Sequence, residues 1–150
     1  MATLLVRHAP SSAAVARRSV QAALLESGAG EDDAFDAALI ASELVGNAVR
    51  HAAPLPSGHL AVEWSVDRDG YRISVTDGGS QHRVSTRSAG AHETTGRGLT
   101  IVAALAQDWG VTNNAGSDHI TVWARGTLNG AGSSHRATCR PPADRRAIAL

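Results

Sequence analysis

Between Leu60 and Asp77 the chain alternates apolar and polar residues in two runs separated by a turn. Leu60, Val62, Trp64 and Val66 interleave with Ala61, Glu63 and Ser65; Asp67 to Gly70 forms the turn; Tyr71, Ile73 and Val75 then alternate up to Asp77. A period of two is that of a half-buried strand, and two such runs around a turn predict an antiparallel hairpin. A hairpin with one apolar face must cover that face with another layer. The residues before it supply the cover as two helical patterns, so the chain is confined to an α+β arrangement.

Upstream, Thr3 to Val6 is a short strand-like run. Pro10-Ser11-Ser12 offers helix-start chemistry and predicts a helix from Ser12 to Ser27. Asp32-Asp33 opens a second helix over Ala34 to Ala53, which stops before Pro54. Downstream, 78 to 95 is Gly-, Ser-, Thr-, His- and Arg-rich with little to bury, a long loop of the functional sort. Helical periodicity returns from Gly98 to Gln107, and Trp109–Thr112 and Ile120–Ala124 read as strands around an Asn113-Asn114-Ala115-Gly116 turn. Trp64, Trp109 and Trp123 fall in strand patterns as core or sheet-face residues. The predicted architecture packs helices on one face of a mixed, mostly antiparallel sheet. It forms one domain over 1–128, and the Gly-, Ser-, Arg-, Pro- and Ala-rich stretch 129–150 is expected to be a disordered tail.

Composition removes several function classes. Formal net charge over the 150 residues is zero, so no broad basic field exists for nucleic acid or an anionic membrane. Every cationic side chain apart from histidine is Arg, and without Lys no P-loop can be built. The single cysteine, Cys139, forms no intramolecular disulfide and is read as a free thiol; a cytoplasmic location is expected. The opening MATLLVRHAP lacks signal-peptide features, and no apolar stretch approaches the roughly 18 residues that span a bilayer. The histidines are scattered without metal-ligand spacing.

Three local features carry chemistry. In SELVGNAVRHA, Glu43, Asn47 and His51 recur every four residues along one helical face, joined by Arg50. A carboxylate base beside an amide oxygen suits a hard cation such as Mg, although an amphipathic helix with a solvated face has the same spacing. Asp77 ends a strand and is followed by Gly78-Gly79: a carboxylate for an exocyclic amine beside glycines that admit a flat base, or simply a turn. Gly96-Arg97-Gly98 opens a helix, where N–H groups and the helix dipole can meet phosphate, or where a helix merely begins.

In this order and spacing, the three features resemble the GHKL ATPase/kinase superfamily, and within it the small stand-alone ATP-binding domains related to anti-sigma factor serine/threonine kinases. Glu43, Asn47, Ala48 and His51 match the first motif, Asp77 and Gly79 the D-x-G-x-G motif, and Gly96, Arg97, Gly98 and Leu99 the glycine pair that opens a helix. Thr121 in HITVWA resembles the threonine of the closing strand, and the likeness spans about residues 10 to 125. Gln81 stands where D-x-G-x-G has its last glycine, and His119 stands where a glycine precedes the closing threonine.

The resemblance implies a Bergerat-type ATP-binding α/β sandwich that takes ATP and Mg. It implies Glu43 as general base, Asn47 as Mg ligand, and Asp77 at the adenine amine, with Gly79 and Thr121 beside it. Residues 80–95 would form a lid, and Gly96 to Leu99 would meet the phosphates. Two functions follow from it. One is a kinase that phosphorylates a Ser/Thr of an anti-sigma antagonist; the other is an ATP-binding regulator that sequesters a partner such as a sigma factor without chemistry. A sensor histidine kinase would need a phosphoacceptor His on its first helix, and His8 lies before that helix. The first strand and helix, unused by the nucleotide, are the expected place for a homodimer or partner contact.

Overall fold

The computed structural model describes residues 1–79 and 96–129, with side chains in the last helix described from residue 99. The order is β1 (Ala2–Arg7), α1 (Ser12–Glu26), α2 (Glu31–His51), β2 (His59–Val66), β3 (Gly70–Asp77), α3 (Gly96–Leu105), β4 (Asp108–Asn113) and β5 (Ile120–Thr127). The five strands form one sheet in the order β1-β2-β3-β5-β4. All four pairings are antiparallel, so the expected mixed sheet is corrected to a wholly antiparallel one among the described residues. The chain leaves β3 at Asp77, passes through α3 and the edge strand β4, and returns as β5 beside β3. That crossover places the end of β3 next to the start of β5.

Strand alternation divides the sheet into two faces. Val6, Leu60, Val62, Ile73, Val75 and Ala124 point to the helices and are all but fully buried. The helices answer with Val20 and Leu24 of α1, and Ile40, Leu44 and Val45 of α2, in the same core. Ala16, Ala34, Ala37 and Ala41 are completely buried, and these short side chains let α1 and α2 pack closely. Trp64 and Trp109 pack on this core, whereas Trp123 lies on the outer face with the Arg72 guanidinium 4.6 Å above its ring. No described helix is long and apolar enough to cross a membrane.

α2 runs 21 residues, about 31 Å, and starts earlier than Asp32-Asp33 predicts. Gly30 precedes it without a side-chain cap, and Glu31, Asp32 and Asp33 occupy its first turn. Carboxylates there interact with the unpaired N–H groups and the positive helix end. Arg50 and His51 sit in the last turn, where cations are favoured. Asp33 also accepts two hydrogen bonds from Asn129, from its backbone N–H at 2.8 Å and its side-chain amide at 3.1 Å. This latch carries the described domain to Asn129, within the expected tail; residues 130–150 and Cys139 lie outside the described residues.

Acid crowding at this end has a measurable consequence. Burial, then the charges of Asp33 and Asp32, raises the Asp36 carboxyl above its ordinary 3.8. Burial, followed by Asp36 and Asp33, pushes the Tyr71 phenol up to about 12, so it stays neutral. A carboxyl raised on folding favours the folded state below its unfolded value, and that advantage is lost as pH rises through the folded value. Asp36→Asn is therefore expected to have a higher melting temperature than wild type at pH 7, with the gap closing as pH falls toward 4. Melting curves across that range check it; a constant gap would show that ionisation is not the cause.

Candidate functional site

The site is assembled where the second half of α2 meets the end of β3. Leu44, Val45 and Ala48 hold α2 on the sheet, and Glu43 and Asn47 stand one turn apart on a neighbouring stripe. Glu43 is half-buried, and Asn47 is only 6% exposed. Among the described residues Asn47 Oδ1 has no hydrogen-bond partner. An unsatisfied buried carbonyl oxygen costs roughly 1–3 kcal/mol, and native structures rarely leave one without a reason. A hard cation is the kind of partner this oxygen accepts, so the site fits Mg. Arg50 folds back over Gly46, and His51 is exposed. No cluster of His, Cys, Asp and Glu that could hold a metal occurs among the described residues.

β3 delivers Asp77 nearly fully buried. Its Oδ1 accepts the Gly79 N–H at 2.7 Å, which closes a tight turn with Gly79 at φ +87°. This is a left-handed conformation that suits glycine. Gly78 is constrained by another contact. A Cβ there would lie 2.0 Å from the Pro54 carbonyl oxygen, so its missing side chain makes room for the protein's own backbone. Two further bonds lock these segments: Gly78 N–H to Ala53 O and Ala53 N–H to Gly79 O, both 2.8 Å. The exit of α2 and the Asp77 turn therefore form one unit. Pro54 as a helix stop and the glycines as a turn are local signals, but no local pattern joins segments more than 20 residues apart.

The register places the expected closing-strand threonine one position past the residue opposite Asp77. Thr121 pairs with Thr76, and their hydroxyls are 2.8 Å apart; the Asn114 amide also donates to Thr121 at 3.2 Å. Both threonines are on the outer face, away from the helices. The residue opposite Asp77 is Ile120, one position earlier, and it shares the inner face with Val122 and Ala124. Strand periodicity alone predicts this, because Val122 and Ala124 mark the inner face and Thr121 falls between them.

At the other approach, α3 begins at Gly96, two residues earlier than expected, and packs against α2. The N–H groups of its first three residues, 96–98, have no acceptor within the helix. The Leu99 side chain is in the core at 5% exposure and does not face a ligand. The expected lid, 80–95, and Gln81 with it lie outside the described residues. A shallow cavity of about 270 Å³ opens at the Gly70 end of β3, lined by Asp67, Asp69, Arg72, Gln107 and Arg125 among others. It is a full strand length from Asp77 and shares none of these residues with the site.

A helix-borne carboxylate and amide beside a buried strand-end aspartate, with a glycine-opened helix packed alongside, define a nucleotide-binding α+β domain. The histidine kinase-like ATPase domain family matches residues 6–124, and the chain belongs to that family. Membership implies ATP binding. Comparison with curated proteins gives no match.

Proposed function

We propose that this protein is a Mg-ATP-dependent regulator that transfers the γ-phosphoryl group to a Ser or Thr of a partner protein, as anti-sigma factor serine/threonine kinases do. The observation that supports this most is the buried Asn47 Oδ1, without a partner among the described residues, one helical turn from the Glu43 carboxylate. Asn47 would hold the cation, which when bound neutralises phosphate charge. Asp77 would accept the adenine amine, and the N–H groups opening α3 would meet the phosphates. Glu43 would take the proton of the attacking hydroxyl. As the new oxygen–phosphorus bond forms, the bond to the bridging oxygen breaks, leaving ADP and a phosphoester. Positioning and charge neutralisation account for most of such a reaction.

Glu43→Gln tests the base. Positioned proton transfer contributes roughly 100- to 10,000-fold. The variant is expected to bind ATP within about threefold of wild type while slow phosphate release falls at least 100-fold. Equal phosphate release from the two proteins would remove Glu43 from the chemistry. Wild type that binds ATP but neither hydrolyses nor transfers it would instead support the sequestering regulator.

A further inference from the structure

We propose that His8 is a positioning residue for the nucleotide site, acting through a single peptide group between α2 and the Asp77 turn; this role rests on the ATP-binding function proposed above. His8 lies just after β1, and its Nε2 donates to the Ala52 carbonyl oxygen at 2.7 Å. A carbonyl only accepts, so Nε2 carries the hydrogen.

The Ala52 carbonyl has an unusual need for that donor. It follows the last turn of α2, where Ala52 is already extended at φ −125° and ψ 160°. The residue four positions on, which would bond this oxygen in a continuing helix, is Pro56 and has no N–H. The Leu55 N–H is committed to the His59 carbonyl at 2.9 Å. His8 supplies from a distant segment the donor that the local chain lacks.

The Ala52 carbonyl and the Ala53 N–H are opposite ends of one planar peptide unit. His8 holds the oxygen end, and the N–H end donates to Gly79 O at 2.8 Å. Fixing one end of a rigid plane aims the other. Gly79 is in turn the residue whose N–H closes on Asp77 Oδ1. His8 thus sets the orientation of the plane against which the Asp77 carboxylate is placed, without touching the nucleotide.

The experiment compares the full-length wild type with His8→Phe, His8→Gln and Asp33→Ala. It reads ATP affinity by calorimetry, the Ala53 amide exchange rate without nucleotide, and melting temperature. His8→Phe keeps a ring and loses the donor; His8→Gln keeps an amide donor near the place of Nε2. One lost hydrogen bond predicts ATP affinity about threefold to tenfold weaker in His8→Phe, faster Ala53 exchange, and near-wild-type behaviour in His8→Gln. Asp33→Ala cuts the Asn129 latch at the far end of α2, so it is expected to lower the melting temperature and leave affinity unchanged. Unchanged affinity and Ala53 exchange in His8→Phe would overturn the proposal. Equal affinity loss in Asp33→Ala would also overturn it, by showing general loosening. Should His8→Phe fail to fold, His8→Asn replaces it: its amide reaches only the Nδ1 level, and the same contrast with His8→Gln decides. A wild type that binds no ATP sinks the function first and this role with it, whereas wild-type binding with no His8 effect sinks the role alone.

Discussion

Asp77→Asn is expected to weaken ATP binding by roughly one to two orders of magnitude while leaving the protein folded. The substitution keeps the shape and one acceptor oxygen, so the 2.7 Å bond from the Gly79 N–H can survive. It puts an amide N–H in place of the second carboxylate oxygen, so the charge-assisted hydrogen bond from an exocyclic amine is lost, about 1.5–3 kcal/mol. Inosine triphosphate, whose base has an oxygen in place of that amine, sharpens the test. Wild type should prefer ATP; Asp77→Asn, able to donate from its amide, should lose most of that preference. Equal preference in the two proteins would move the adenine contact away from Asp77.

Gly78→Ala is expected to be the most damaging single-methyl change in the site. The added carbon would meet the Pro54 carbonyl oxygen at 2.0 Å and its carbon at 2.8 Å, and backbone yields far less readily than the end of a side chain. Relieving that overlap means separating the α2 exit from the Asp77 turn, which threatens the bonds between Ala53 and residues 78 and 79. Overpacking of this kind costs about 3 kcal/mol, or roughly a 10 °C fall in melting temperature for a domain of this size. ATP affinity should also fall at temperatures where the variant is fully folded. Gly58→Ala is the control: Gly58 has φ +81° but nothing within 4 Å of its added carbon. Only its backbone preference is lost, about 1 kcal/mol. Similar effects at the two glycines would show that the Pro54 contact is not what constrains Gly78.

Much of this architecture was legible in local pattern. The alternation at Leu60–Val66 and Tyr71–Val75 became β2 and β3, paired Val62 to Val75 as an antiparallel hairpin requires. The stripe of Ala41, Leu44, Val45 and Ala48 became the buried face of α2, but burial also takes in Asn47 and half of Glu43, which the solvated-face pattern does not show. Element ends were less legible because tertiary contacts moved them. α2 gains Glu31 to Asp33 by placing carboxylates on its free N–H groups. It yields Ala52 and Ala53 because Pro54 disfavours helix at Ala53, and the Ala53 backbone is taken by the glycines after Asp77. Thr121 shows a different limit. A motif match takes no account of the sheet's two-residue period, which places Ile120 opposite Asp77 and Thr121 opposite Thr76. His8 left no sequence signal, since its partner is a backbone carbonyl 44 residues away.

The Asp33–Asn129 latch has a practical meaning for anyone handling the protein. It fastens the outgoing chain to the first turn of α2, whereas Asn47 stands 14 residues further along that helix, about 21 Å away. Cargo attached directly after residue 129, such as a fluorophore, an affinity handle or a surface linker, would be moored at the far end of that rod. Immobilising the protein through this end would keep the nucleotide end facing the solution.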